Sequence, residues 1–132
     1  MENKKPFHLI GDRATYCDID DTLVHSRMSL IDLGLSQEQI DEMELIQVPA
    51  PYDGTLLPRY VNKRNVTLLK ECKLSGAAVV AWSQGGARWS AAVIEALGLN
   101  DYVDITSSKP TFLIDDLQSR EFMPKSVWKK PV

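Results

Sequence analysis

The sequence has few cysteines, no long apolar run and no excess of basic residues. Cys17 and Cys72 are its only cysteines, and both lie inside apolar patterns rather than at metal-ligand spacing. We therefore expect buried, reduced thiols in a cytoplasmic protein. No apolar run approaches the ~20 residues that cross a bilayer, and residues 1–6 lack the apolar core of a signal peptide. The net charge of −3 argues against a general nucleic-acid binder.

What the chain does contain is typical of one globular domain. Its 132 residues are enough to bury a core, and a hydrophobic share of 44% with a charged share of 25% is ordinary for a folded protein. Neither an internal repeat nor a low-complexity segment divides the sequence. We predict a single domain over residues 1–132 that has no membrane partner.

Short apolar runs bounded by turn residues predict the strands of a parallel sheet. The clearest runs are residues 14–17, 77–82 and 111–114. Weaker strand candidates are residues 102–105 and 127–128, and residues 11–12 form a candidate tight turn.

Helical spacing of apolar residues predicts three helices between the strands. A capping-box pattern at residues 36–39 predicts a helix that ends before Pro49 and Pro51. Pro58 predicts the start of a second helix that reaches about residue 74. The third helix covers about residues 87–97, with Gly98 as its stop signal.

Strands that alternate with helices predict an α/β fold. The expected form is a three-layer, Rossmann-like domain, with a mostly parallel sheet and helices on both faces. Residues 25–57 contain polar and proline-rich segments around one short helix, and we interpret them as a small flap inserted after the first strand.

Three carboxylates follow the first predicted strand directly. Asp18, Asp20 and Asp21 fall within four positions, before the chain resumes with Thr22 and Leu23. Like charges this close repel one another unless a cation lies between them. Two further predicted strands end in polar residues, at Ser83 and at residues 115–116. Because the carboxyl ends of parallel strands meet at one edge of a sheet, the pattern predicts a functional site at that edge.

In this order the residues resemble the motifs of the haloacid dehalogenase superfamily of phosphohydrolases. Asp18, Asp20 and Thr22 resemble the first motif, Ser83 the second, and the Asp115–Asp116 pair the fourth. The resemblance covers roughly residues 12–116.

The resemblance implies a role for each matching residue. Asp18 would be the nucleophile that forms an aspartyl-phosphate, and Asp20 the general acid and base. Mg²⁺ would be held by Asp18, by Asp115 and by the backbone carbonyl of Asp20. Ser83 would donate its hydroxyl to the phosphoryl group, with the amide of Gln84 beside it.

The third motif of the superfamily, a lysine or arginine, has three candidates. Lys109 is the only lysine between Ser83 and Asp115. If residues 111–115 are extended, Lys109 lies up to ~20 Å along the strand from Asp115, too far for a lysine side chain. Arg88 and Arg120 are the alternative cations, and the sequence does not decide among the three.

The leading hypothesis is therefore a Mg²⁺-dependent phosphomonoester hydrolase. Its substrate would be a phosphorylated small molecule, a nucleotide or a polynucleotide 3′-phosphate, and a homo-oligomer is one way to cover its open site. The alternatives are a catalytically silent interaction module with the same fold, or a receiver-like phosphoacceptor domain. The order of the motifs disfavours the receiver.

Overall fold

The computed structural model describes residues 13–122 and 126–132. The candidate turn at residues 11–12 lies outside this part of the chain. Two three-stranded sheets are present among the described residues, together with short and medium helices. The strands are β1 (Ala14–Asp18), β2 (Val24–His25), β3 (Leu45–Pro49), β4 (Leu56–Val61), β5 (Ala78–Ser83) and β6 (Ile105–Ser108). The helices are α1 (Arg27–Asp32), α2 (Gln37–Asp41), α3 (Lys63–Leu74), α4 (Ala87–Ala96) and α5 (Ser119–Phe122), with a 3₁₀ turn at Asn100–Tyr102.

The first sheet is parallel and has the order β1-β5-β6. Asp18 is in register with Trp82, and Ser83 is in register with Ser108, so the carboxyl ends of the three strands lie side by side. Each crossover contains a helix, α3 before β5 and α4 before β6. The α/β class and the parallel pairing predicted from the sequence are confirmed for these strands.

The second sheet is antiparallel and has the order β2-β4-β3. It is formed by the predicted flap together with the residues that follow it. A turn at residues 51–54 joins β3 to β4, and Gly54 adopts the positive φ of 75° that favours glycine there. Helices α1 and α2 pack on this sheet through a small cluster of Leu30, Leu35 and Ile40, with Tyr60 of β4 against it.

One hydrophobic core joins the two sheets. Val79 and Ala81, on one face of β5, pack in the same cluster as Leu69 of α3 and Val93 of α4. Val48 of β3 belongs to this cluster, so the flap is attached to the domain by apolar packing. On the other face of the parallel sheet, the rings of Tyr16 and Trp82 are 4.6 Å apart. Tyr16 is 49% exposed, so the predicted first strand is present but only partly buried.

Two helix predictions need correction. The capping box at Ser36 and Gln39 is present, but α2 ends at Asp41 and the chain then forms β3. Pro58 lies within β4 instead of starting a helix, and α3 begins at Lys63. The segment of β4 around Pro58 pairs with β3 alone, since β2 reaches only Tyr60 and Val61. Proline is tolerated there because one side of the strand needs no amide hydrogen bond.

The strand predicted at residues 111–114 is wrong. Its position in the sheet is taken by β6, which ends at Ser108 and leaves only two residues before Thr111. A parallel crossover needs a dozen or more residues, so residues 111–114 cannot form the next parallel strand. Phe112 and Ile114 are 80% and 88% exposed. The weak strand candidate at residues 102–105 overlaps β6 only at Ile105: Tyr102 ends a 3₁₀ turn, and the strand runs on to Ser108. The candidate at residues 127–128 is not a strand.

Helices α3 and α4 share a core with the same face of β5, so the described residues do not show helices on both faces of the parallel sheet. Within the described ranges, every helix is too short or too polar to cross a membrane.

Candidate active site

The candidate site lies where the parallel strands end. Asp18 is the last residue of β1, Ser83 the last of β5, and Lys109 follows the last residue of β6. The backbone amide of Lys109 donates to the carbonyl of Ser83 at 2.9 Å, which fixes the end of β6 beside the end of β5. Residues that are 26 to 91 positions apart in the sequence are thereby brought to one edge.

The carboxylates are presented by a tight acidic loop, residues 18–24. Ile19 and Leu23 are fully buried and anchor the loop in the core. The carbonyl of Ile19 accepts hydrogen bonds from the amides of Thr22, Leu23 and Val24. Asp21 has a φ of 65°, a left-handed conformation that aspartate tolerates better than most residues. The polar side chains between the two anchors are therefore held at the sheet edge.

Asp18, the candidate nucleophile, has a different partner on each carboxylate oxygen. Lys109 Nζ lies 3.2 Å from Oδ1, and both side chains are about two-thirds buried. Thr22 Oγ1 donates to Oδ2 at 3.1 Å. The pair of contacts orients the carboxylate and places a positive charge beside it.

Lys109 is thus the third-motif candidate that the structure joins to Asp18. The extended segment that would have carried it away from the site is absent, because Lys109 follows β6 directly. Arg88 instead donates to the carbonyl of Pro51 at 3.4 Å and lies over the ring of Tyr52. Arg120 lies on α5 and is exposed.

Asp20, the candidate acid and base, accepts two hydrogen bonds from other elements. Ser83 Oγ donates to Oδ2 at 3.1 Å, and Trp89 Nε1 is 3.1 Å from both carboxylate oxygens. Ser83 is only 1% exposed, and its hydroxyl in turn accepts from the amide of Gly85 at 2.9 Å. The hydroxyl predicted to bind phosphate is therefore part of a short network that ends on Asp20.

Two glycines make the turn after Ser83 possible, each for a different reason. Gly86 has a φ of 103°, which side chains other than glycine rarely adopt. At Gly85 a Cβ atom would come within 3.1 Å of the Trp89 ring and 3.2 Å of Ser83 Oγ. Gln84, the other predicted phosphate-binding residue, lies in this turn with its side chain exposed.

Cys17, the residue before Asp18, is not suited to thiol chemistry. Burial, and secondarily the neighbouring Asp18 and Cys72, raise the pKa of Cys17 to about 12. Both cysteines are free and only half-buried, so the full burial expected from the sequence is not observed. At neutral pH the Cys17 thiol stays protonated and does not act as a nucleophile.

Asp115 is not brought to this edge by a strand. It lies in an exposed irregular segment, where its carboxylate accepts from the amide of Leu117 at 2.9 Å. That hydrogen bond, followed by one with the side chain of Asp116, lowers the Asp115 pKa below its usual value. Among the residues that the structure describes, no group of three or more acidic, histidine or cysteine side chains is placed to hold a metal ion.

The remaining oxygen donors nevertheless suit magnesium. Asp18 and Asp20 offer hard carboxylate oxygens at the sheet edge, and Mg²⁺ is commonly held by one or two carboxylates together with water and substrate oxygens. The donor chemistry of this edge therefore fits the metal expected from the sequence, which Asp18 and the backbone carbonyl of Asp20 would hold.

Sequence reasoning missed two residues of the site. Trp89 was assigned to the core, where its ring does pack, but its indole N–H also binds Asp20. The polar nitrogen of a buried tryptophan needs a partner, and that requirement was the available signal. Arg59, from β4 of the flap, lies with its guanidinium 5.4 Å from the centre of the Trp89 ring. No sequence pattern pointed to Arg59.

Comparisons of the chain with protein-family models, curated proteins and solved structures found no match.

Proposed function

We propose that this protein is a Mg²⁺-dependent phosphomonoester hydrolase of the haloacid dehalogenase type, acting through an aspartyl-phosphate. The observation that carries the proposal is the 3.2 Å contact between Lys109 Nζ and Asp18 Oδ1. A carboxylate nucleophile must approach an anionic phosphoryl group, and a cation beside it offsets their repulsion. Asp18, Asp20, Ser83 and Lys109 at one sheet edge match the order of the superfamily's first three motifs.

In the first step a carboxylate oxygen of Asp18 forms a bond to phosphorus while the bond from phosphorus to the ester oxygen breaks. The departing oxygen takes a proton from Asp20. The Thr22 hydroxyl holds the nucleophilic carboxylate in one orientation, and the ammonium group of Lys109 stabilises charge on the phosphoryl oxygens.

In the second step a water molecule attacks phosphorus and gives its proton to Asp20. The bond between Asp18 and phosphorus breaks, which releases inorganic phosphate, restores the Asp18 carboxylate and leaves Asp20 protonated for the next cycle. Trp89 and Ser83 keep Asp20 in place through both steps. Asp18 and the Asp20 carbonyl would hold Mg²⁺, which would supply positive charge that offsets the negative charge of the acidic loop and the phosphate.

We also propose that the fold is a three-layer, Rossmann-like domain. A three-layer, Rossmann-like domain with helices on both faces would require further elements beside β1 and over the Tyr16–Trp82 face. The parallel order β1-β5-β6 and the helical crossovers support this arrangement. The side chains of Asp18 and Lys109 are each about one-third exposed. This exposure suits a nucleotide or a polynucleotide 3′-phosphate, or a small substrate enclosed by a second copy of the chain.

Phosphate release from a generic aryl phosphate tests the proposal. We expect turnover with millimolar Mg²⁺, none in EDTA, and none in Asp18→Asn, whose amide is nearly isosteric but cannot attack phosphorus. Asp32→Asn, at an exposed aspartate of α1, is the matched control and should keep full activity. Lys109→Met should fold and lose most of its turnover.

Two results would overturn the assignment. Asp18→Asn with turnover within tenfold of the parent would remove the nucleophile from the mechanism. A folded parent that releases no phosphate from aryl, nucleotide or 3′-phosphorylated oligonucleotide substrates would instead favour the interaction module. The exposed position of Asp115 is the observation that supports that alternative.

A further inference from the structure

Residues 126–132, here called the strap, lie against the acidic loop and the start of α3. The indole N–H of Trp128 donates to the carbonyl of Asp21 at 2.8 Å. Asn62 Nδ2 donates to the carbonyl of Lys129 at 2.9 Å. The strap is therefore attached through its backbone and one indole, next to the loop that carries the candidate nucleophile.

Asn65 of α3 connects the strap to this loop. Its Nδ2 donates to the carbonyls of Thr22 and Lys129, each at 3.0 Å, and its Oδ1 accepts from the amide of Lys129 at 3.1 Å. The side chain is 3% exposed. Both amide hydrogens and the oxygen of Asn65 form hydrogen bonds, so the side-chain amide has one orientation. If the amide were flipped, its oxygen would point at two carbonyl oxygens.

A path of two hydrogen bonds leads from Asn65 to the candidate nucleophile. Asn65 fixes the backbone carbonyl of Thr22, and the hydroxyl of the same threonine donates to Asp18 Oδ2. The opposite oxygen of Asp18 faces Lys109. A shift of Thr22 would let the carboxylate rotate away from the orientation that these two contacts define.

We propose that Asn65 is a positioning residue, which holds Thr22 between the strap and Asp18 and so sets the orientation of the Asp18 carboxylate. The expected effect of Asn65 on kcat rests on the proposed hydrolase activity. Asn65 touches neither the reacting atoms nor Asp18 itself. A small displacement of a reacting group is enough to lower a rate strongly, so the effect falls on kcat rather than on substrate affinity.

A double-mutant cycle between Asn65→Ala and Thr22→Val tests this role. Each single variant should lower kcat roughly 10- to 100-fold with little change in KM. Because both act through the same contact with Asp18, the double variant should keep a kcat within about threefold of the slower single variant. Arg64→Gln is the matched control: it removes a strap contact, to the carbonyl of Lys130, that does not involve Thr22, and its kcat should stay within about twofold of the parent.

Independent effects would overturn the proposal. If the kcat losses of Asn65→Ala and Thr22→Val multiply in the double variant, Asn65 supports the fold without positioning Asp18. An unchanged kcat in folded Asn65→Ala would also show that Asn65 does not position Asp18. If Asn65→Ala does not fold, Asn65→Ser, which keeps a donor of shorter reach, takes its place in the cycle.

A parent without hydrolase activity would overturn the proposed function but leave the positioning role open to measurement. The carboxyl ¹³C resonance of Asp18 then reports the contact. It should move in Asn65→Ala, and the same substitution should move it little in the Thr22→Val background. A resonance that does not respond to Asn65→Ala would overturn the positioning role by itself.

Discussion

Trp89 contributes to the fold and to the candidate site with different parts of one side chain. Its ring packs in the main core with residues of α3, α4 and β5, while its indole nitrogen lies 3.1 Å from both oxygens of Asp20. Arg59 covers the ring from the flap. One residue thus links core packing, flap position and the orientation of the candidate acid and base.

Replacing Trp89 with phenylalanine separates these contributions. Trp89→Phe keeps an aromatic ring in the core but removes the donor to Asp20, and we expect it to cost about 1–3 kcal/mol of unfolding free energy. Turnover should fall by at least ~10-fold because Asp20 loses one of the two groups that orient it. Urea unfolding and phosphate release measure the two effects.

Trp82→Phe is the control, since Trp82 lies on the other face of the sheet beside Tyr16. It should change stability without a comparable change in turnover. Parent-like turnover in Trp89→Phe would show that Ser83 alone is sufficient to orient Asp20.

At the scale of elements, Asp104 joins α3 to the parallel sheet. One carboxylate oxygen accepts from the amide of Val79 at 2.7 Å, and the other lies 2.7 Å from Lys73 Nζ. Both charged side chains are mostly buried. Asp104, the residue before β6, therefore ties the end of α3 to the start of β5.

Asp104→Ala should destabilise the protein by about 1–3 kcal/mol, because it leaves the Val79 amide without an acceptor and Lys73 without its counter-charge. Asp104→Asn, which keeps an oxygen for Val79, should cost less. Chemical denaturation of the two variants, with the exposed Asp101→Ala as control, measures the difference. Equal losses in Asp104→Ala and Asp104→Asn would assign the whole effect to the ion pair.

Elements with a local signal could be predicted from the sequence, and elements that depend on a partner could not. The apolar run that forms β5, the capping box of Ser36 and the stop at Gly98 are set by neighbouring residues, and all three are present. By contrast, β3 was interpreted as part of a helix, because Ile40, Met43 and Ile46 happen to follow helical spacing. The residues of β3 form a strand because they pair with β4.

The residues of the candidate site divide in the same way. Asp18, Asp20 and Ser83 were predicted, since strand ends in a parallel sheet converge at one edge. Lys109 was one of three candidate cations among which the sequence did not decide. Trp89 and Arg59 were not predicted, and neither was the positioning residue Asn65, because their contacts come from tertiary packing. The strand expected at residues 111–114, which would have carried Lys109 away from the site, does not form.

At the scale of the whole molecule, a buried histidine makes stability depend on pH. Burial lowers the pKa of His25 below its ordinary value of 6.5, and the nearby carboxylate of Asp21 opposes the shift less strongly. The imidazole lies between Ser29 and Asn62, with no exposed surface of note. Below pH 6.5 the unfolded chain binds a proton that the folded protein resists, so acidification favours unfolding.

We expect the contribution of His25 to stability to be complete above pH 6.5 and to decline as the pH falls towards the lowered pKa of the folded state. His25→Gln, which stays neutral, should flatten the change between pH 7.5 and pH 5.5. Urea unfolding at the two pH values measures the slope. A variant with the same slope as the parent would assign the acid sensitivity to other groups.

The register of the parallel sheet also has a kinetic consequence. The residues of β1 pair with partners 64 positions later in the chain, whereas β3 and β4 are joined by a short turn. Closing long loops costs entropy before any contact repays it, so distant pairings form more slowly than local ones. A refolding chain therefore forms the hairpin of the flap before Asp18, Ser83 and Lys109 meet. We therefore expect a period in refolding in which the hairpin of the flap exists and the candidate site does not.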